Sequence, residues 1–508
     1  MRGQASRSWR SLTRERETGW AFTLVVGAAY VAFLCWAGSL HELWRDEIHP
    51  WALARTADSF WDIVTGDRVY DGHPPLWYWY LRVWGWVTAR PWGLHAANIA
   101  AMGLAGLLFL RHAPFARPIK ILLLGSYLLG YEYGVLARNY TLTWVMLAVF
   151  CSAFNPLRPR YLWLSFSLAL VVITSAFGAL MACGLIFVLL SLGMHVGLSE
   201  TQPRDLLVTM RPRLALGLGI VFLSFGFFVY STAPPDPNPY SPGWNFAAIH
   251  TAPELGLSWI VQVFLPVRSF GDPNCWGNQL YYWSGHPTLL NAVGVALLVL
   301  LTLSLAPGWW EVAAFVIGVL LLSVFGAVRY SGAMRHIGNF FLLFVALAWL
   351  RRLRAPRGRH LLSTVMLVVI GLFQARTLLV AVAQDRFGVF SGSGEAAAFI
   401  EKAGLQDLPI VAGPDAIVLA VTAHLHRPFI SSETEDIGET MVFHSRRRAY
   451  SDAALLDRAV RCAREKHTPV LVLSDHPLPA PAAPGLPWKE LYRGPPVMES
   501  FWIYELGP

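Results

Sequence analysis

Long uncharged stretches alternate along this chain with short loops rich in Arg and Pro. A helix that crosses a bilayer needs roughly 20 apolar residues, fewer where neighbouring helices bury it. On that criterion the pattern predicts about eleven spans, at residues 20–40, 93–110, 119–131, 134–154, 161–173, 174–198, 214–233, 288–306, 309–327, 337–350 and 361–382. Two of them, 119–131 and 161–173, are short. The uncharged stretch 161–198 is too long for one helix and is split near ITSAFG, as a hairpin turning at the outer face. Beyond residue 383 the pattern changes. LPIVAGP (408–414) and TPVLVLSD (468–475) read as strands, whereas GEAAAFIEKAG and DAALLDRAVRCAREKH repeat apolar residues at three and four and read as helices. The predicted organisation is therefore a transmembrane domain over 1–383 and a small α/β domain over 384–508.

Composition agrees with a membrane protein. The 508 residues are 55% hydrophobic and 14% charged, with mean hydropathy +0.45, whereas charged residues approach a quarter of an ordinary soluble domain. The net charge of +8 does not point to nucleic acid, because the Lys and Arg sit in short clusters between apolar runs, as membrane topology signals do. Cys35, Cys151, Cys183, Cys275 and Cys462 are scattered, so neither a disulfide framework nor a zinc site is implied. The basic N-terminal segment is like the start of a signal peptide, but residues 20–40 lack a small-x-small cleavage site and read as a retained first helix.

Charge bias then orients the chain. With the N-terminus in the cytoplasm, RHAPFARPIK, NPLRPR, TQPRDLLVTMRPR and RRLRAPRGRH all fall on the cytoplasmic side. That side carries roughly 18 Lys and Arg in about 60 residues, against roughly 9 in about 125 in the opposite loops. The long loops 41–92 and 234–287 are then extracytoplasmic. An odd number of spans places the C-terminal domain there too.

The first outer loop holds Arg45, Asp46, Glu47, His49, Asp58, Asp62, Asp67, Arg68, Asp71 and His73 among many Trp and Tyr. Its segment PWALARTADSFWDIV has the spacing of a helix lying in the interface plane, where aromatic residues also serve as simple anchors. Asp46 and Glu47 follow the first span closely and are hemmed by Trp44, Ile48, Pro50 and Trp51. A carboxylate in such surroundings needs a partner, and its pKa is expected to rise toward the range of a general base; a solvated loop pair is the alternative. Glu132 and Arg138, in GYEYGVLARNYTL, are ionisable groups at membrane depth, which mark function or a structural ion pair. In VRYSGAMRHIGN, Arg329, Arg335 and His336 suit a phosphate, or else snorkel to the headgroups. HLH at 424–426 reads as surface rather than metal ligand.

RDEIHPWALA, then DGHPPLWYWYLR, then YEYGVLARNYTL resemble the GT-C superfamily of polytopic glycosyltransferases, in particular bacterial relatives of the protein O-mannosyltransferases and of the lipid A aminoarabinose transferase. The motifs cover residues 20–200, and the helix layout extends the resemblance to 383. It implies transfer of a sugar from a polyprenyl-phosphate donor to an extracytoplasmic acceptor, by an enzyme of the cell (inner) membrane in contact with its lipids. It makes Asp46 the base, with Glu47 supporting it or holding a divalent cation, Mg2+ or Mn2+. Glu132 becomes the acid of the second outer loop. His73, Arg138, Tyr140, Arg335 and His336 become the donor phosphate and lipid site. A transporter is the second reading, although ionisable groups gathered at one face favour an enzyme. A non-catalytic glycan-binding or assembly protein, working through its outer domain, is the third.

Overall fold

The computed structural model describes residues 18–198, 204–234, 243–267, 286–356, 358, 360–434, 436–483 and 485–507. The basic segment before Thr18, Cys275 and much of the loop 234–287 lie outside the described residues. The chain forms two compact units. One comprises Met1–Ala37, Asn98–Tyr230 and Pro242–Val382; the other comprises Gly38–Ala97, Ser231–Ser241 and Ala383–Pro508. Residues 41–92 thus fall in the same unit as the C-terminal residues.

The first unit is helical, and helix occupies every predicted span. Among the described residues eight helices are long and apolar enough to cross a membrane, from Trp20–Gly38 to Leu361–Phe387. Tyr140–Ala153 and Tyr161–Val172 are shorter apolar helices at predicted positions. The split at ITSAFG is a turn in which Ser175 Oγ accepts from Gly178 N at 2.9 Å, capping the helix Ala176–Leu198. The chain through Met334–Arg354 is 94% buried over its apolar window. A helix apolar on all sides is what the middle of a bundle requires.

Three details differ from the expected spans. The span 119–131 is a helix Arg117–Leu124 followed by a π-helical turn, Leu128–Glu132. The next helix starts only at Tyr140, and residues 133–139 form turns. Within the long loop 234–287 lies a helix, Ala252–Phe264, that buries Trp259, Ile260, Val261, Val263 and Phe264. It packs against Pro287–Leu305 and Trp309–Val328; its 13 residues are too few to mark it as a span.

The second unit contains a six-stranded sheet. Its strands are β1 (Ile410–Ala412), β2 (Phe429–Ser431), β3 (Ile437–Gly438), β4 (Val470–Ser474), β5 (Trp488–Arg493) and β6 (Trp502–Leu506), in the order β3-β2-β1-β4-β6-β5. β1 pairs in parallel with β2 and β4, and the outer strands are antiparallel. Val411, Ile430, Val470, Val472 and Leu506 pack with Leu455, Ala459 and Ala463 of the helix Asp452–Lys466 into the core. The expected strands and helices are present, joined by β2, β3, β5, β6 and a helix Asp415–Leu425. That helix packs on Arg45–Thr56, which also meets Leu76–Gly85. Where one helix was expected over 50–64, the structure has the helix Arg45–Thr56, with residues 47–54 all buried, and a separate short helix Asp62–Thr65; Phe60, Trp61, Trp86 and Trp92 stay exposed nearby.

Candidate functional site

Asp46 and Glu47 lie in the first turn of the helix Arg45–Thr56, not in a loop. Trp44 precedes it in extended conformation, and its carbonyl accepts from Glu47 N and Ile48 N at 3.0 Å each. Carboxylates are favoured there by the helix dipole. The two acids diverge in environment: the side chain of Asp46 keeps 27% of its exposure, and that of Glu47 none. Arg45 Nε lies 3.8 Å from Asp46 Oδ1 and 3.6 Å from Glu499 Oε1, and Arg45 N also donates to Glu499. Glu499 in turn accepts from Ser391 Oγ at 2.9 Å. Ser393 Oγ donates to Leu43 O, and Phe390 meets Trp44 edge to face. C-terminal residues therefore hold the entry to this helix.

Glu47 faces a buried relay. Its Oε2 is 3.0 Å from His41 Nε2, and His41 Nδ1 is 3.1 Å from Asp385 Oδ2. Burial alone would push the His41 pKa down, but Asp385 and Glu47 outweigh it and hold it up at about 10. His41 is accordingly an imidazolium between two carboxylates.

One turn on from Asp46, and on the same face of the helix, His49 Nε2 is 3.3 Å from Asp71 Oδ1. The Tyr78 hydroxyl donates to the same carboxylate. Burial disfavours ionisation of Asp71, yet His49, His73 and Tyr78 together hold its carboxyl well below the usual range. His73 also supplies its carbonyl to the Arg68 guanidinium, which binds Ser231 O at 2.7 Å and the carbonyl of Ile63. Arg68 thus pins the loop that presents Asp71 and His73.

In the membrane-spanning unit, Glu132 ends the π-helical turn, wholly buried, and accepts from the Tyr127 hydroxyl. π-turns of this kind recur at functional sites. The Tyr133 hydroxyl donates to Arg335 O at 3.0 Å, and the carbonyl of Tyr133 accepts from Asn98 Nδ2 and Thr141 Oγ1. Tyr140 lies with its ring centroid 6.3 Å from that of Tyr133 and 5.2 Å from that of His336. His336 Nδ1 accepts from Ala333 N at 2.8 Å, which leaves the proton of a neutral imidazole on Nε2. Glu132, Tyr140, Arg335 and His336 are thereby gathered around Tyr133. Arg138, 8% exposed, lies in the non-helical stretch between the π-helical turn and the helix that starts at Tyr140.

The sequence marked Asp46, Glu47, His73, Glu132, Arg138, Tyr140, Arg335 and His336. It assigned no role to His41, His49, Arg68, Asp71, Asp385 or Glu499. His49 and Asp71 were visible as polar residues of the first outer loop; nothing in local spacing ties His41 to Asp385. The donor set at Glu47 does not suit a divalent cation, because its carboxylate is bonded to an imidazolium. Among the described residues, no group of three or more His, Cys, Asp or Glu is placed to hold a metal ion.

No family model matches the chain, and no curated protein matches it in sequence. Among solved structures, ArnT from Cupriavidus metallidurans bound to undecaprenyl phosphate aligns with a TM-score of 0.55 at 14% identity, over 96% of this chain and 98% of that one. Its apo state aligns over the same shares with a TM-score of 0.46. The first of these likenesses extends over nearly the whole of both chains, so this chain shares its fold with that ArnT structure.

Proposed function

We propose that this protein is a glycosyltransferase of the inner membrane that moves a sugar from a polyprenyl-phosphate donor to an extracytoplasmic acceptor, with the N-terminus cytoplasmic. The ArnT structure with undecaprenyl phosphate, on the same fold, supports a lipid phosphate as the donor's carrier. The observation that carries the reading is the split between Asp46 and Glu47. Asp46 is the partly exposed carboxylate at a helix start, beside Arg45; Glu47 is buried against the His41 imidazolium.

In this reading Asp46 takes the proton of the acceptor hydroxyl as its oxygen bonds to the sugar's anomeric carbon. The bond from that carbon to the phosphate oxygen breaks, and polyprenyl phosphate leaves. Arg138 and Arg335 balance the charge gathering on that phosphate, where such groups contribute most. His336 and Tyr140 line the phosphate site with them, Glu132 orients the tyrosines around it, and His73 lines the sugar side. Glu47 fixes the helix start through His41, and no step is routed through a metal ion.

Asp46→Asn tests this directly. In nanodiscs, with a polyprenyl-phosphate donor carrying labelled sugar, transfer should fall by about a hundredfold or more, with undecaprenyl phosphate binding unchanged. Full transfer by a folded variant would overturn the assignment of the base.

A further inference from the structure

The segment that follows β3 leaves the sheet, passes over the first outer loop and returns to the helix Asp452–Lys466. Its ring Phe443 meets His49 edge to face, with centroids 5.9 Å apart, and His444 meets Tyr70 likewise at 6.3 Å. His49 is the residue one turn from Asp46 that contacts Asp71. The segment is held from the other side by a buried charge cluster. Arg447 binds Glu433 Oε2 at 2.5 Å and Asp415 Oδ2 at 3.4 Å, and its guanidinium lies over the Phe443 ring, 5.9 Å from the centroid. Asp415 N and Arg448 N bond to Glu433, and Ser431 Oγ donates to Asp415.

Such a cluster is a costly way to hold a surface segment, since replacing buried ion pairs by apolar packing is often neutral or stabilising. What it does secure is position. Two buried nitrogens in these contacts, His49 Nδ1 and His444 Nδ1, have no hydrogen-bond partner among the described residues, and buried polar atoms of native proteins are nearly always paired. Ring faces beside imidazoles and a carboxylate are the chemistry that recognises a sugar, whose C–H faces pack on aromatics while its hydroxyls pair with polar side chains.

We propose that Phe443 and His444 are acceptor-contacting residues, which together with His49 and Asp71 bind a hydroxylated, carbohydrate-like acceptor, and that Arg447, clamped by Asp415 and Glu433, is their positioning residue. The inference rests on the transferase reading above. It gives the C-terminal domain a direct part in acceptor selection.

The test uses the full-length protein in nanodiscs, with labelled polyprenyl-phosphate sugar as donor and a dilution series of solubilised envelope glycan as acceptor. Phe443→Ala and His444→Gln should each raise the half-saturating acceptor concentration about tenfold, the equivalent of one lost contact of about 1.4 kcal/mol. Undecaprenyl phosphate binding and the melting temperature should stay as in the wild type. Arg447→Lys should raise the same acceptor value while leaving the half-saturating donor concentration unchanged. Unchanged acceptor values overturn the proposal, as does a joint loss of donor affinity and thermal stability, which would make the segment mere packing. Where a variant does not fold, Phe443→Leu supplies the same readout. A wild type that transfers no label counts against the transferase reading and this inference together; transfer with indifferent variants counts against the inference alone.

Discussion

His41→Gln is the substitution whose consequence the structure states most fully. His41 lies wholly buried between Glu47 and Asp385, at 3.0 and 3.1 Å. Its pKa is held up from 6.5 to about 10. At about 1.4 kcal/mol per pH unit, that rise is worth roughly 5 kcal/mol in favour of the folded imidazolium. Independently, removing one partner of a buried pair leaves a charge uncompensated at a cost of about 3–5 kcal/mol. Glutamine is close in size but neutral, and both its N–H donors sit on one nitrogen rather than on the two ring nitrogens that reach Glu47 and Asp385, so the loss should fall in that range. The sign of the pH dependence follows from the raised pKa: the stabilisation is complete below pH 6.5 and disappears as pH rises through 10. Thermal unfolding of the detergent-solubilised protein, followed by near-UV circular dichroism from pH 6 to 10, should show the wild type losing stability over the upper part of that window. The variant should melt several degrees lower at pH 6 and change less across the range. Equal melting temperatures at pH 6, with the same pH slope, would refute the imidazolium relay.

Three other substitutions probe separate parts of the molecule. Glu132→Gln keeps an acceptor for the Tyr127 hydroxyl but removes the charge; transfer should drop by about a hundredfold with normal folding, and undiminished activity would make Glu132 structural. In Gly338→Ala the new methyl group would crowd the Tyr133 hydroxyl and come within 2.7 Å of Leu128 Cδ2; overpacking of about 1–3 kcal/mol should appear as a lower melting temperature and weaker undecaprenyl phosphate binding. Asp415, its carboxyl pushed up to about 7 by burial and by Glu433 despite Arg447, contributes stability that is complete below pH 4 and lost as pH rises through 7. Asp415→Asn should flatten that part of the stability profile, measured by the same thermal unfolding.

The spans were legible because length and uniform apolarity suffice to identify them. The misread boundaries have a common cause. Residues 134–137, Gly-Val-Leu-Ala, are apolar and were counted with a helix, but they form turns buried in protein. Non-helical backbone is tolerated at membrane depth when protein bonds satisfy it, and Asn98 does so here by donating to the carbonyls of Tyr133 and Gly134. In the α/β domain, β1 and β4 are buried at every position and read as apolar runs. β3 has only two residues and β5 buries none of its six, so neither has a periodic signal to detect.

The sequence offers candidate site residues but not the contacts that join them. Partners such as His41 and Asp385 stand 344 positions apart, and Arg45 and Glu499 stand 454 apart; no motif of local spacing can join them. The acidic pair itself shows why local conformation decides chemistry. Had Asp46 and Glu47 stood in a loop, two adjacent carboxylates could have turned toward one cation, as the sequence left open. In a helix successive side chains point about 100° apart, so the pair divides: Glu47 goes inward to His41, and Asp46 stays partly exposed beside Arg45. On the proposed reading base and anchor are separate offices held by neighbours, and the double exchange Asp46→Glu with Glu47→Asp should lower both the melting temperature and sugar transfer, because an aspartate at 47 falls one methylene short of His41 and a glutamate at 46 moves the carboxylate by the same length; wild-type values of both would refute the division.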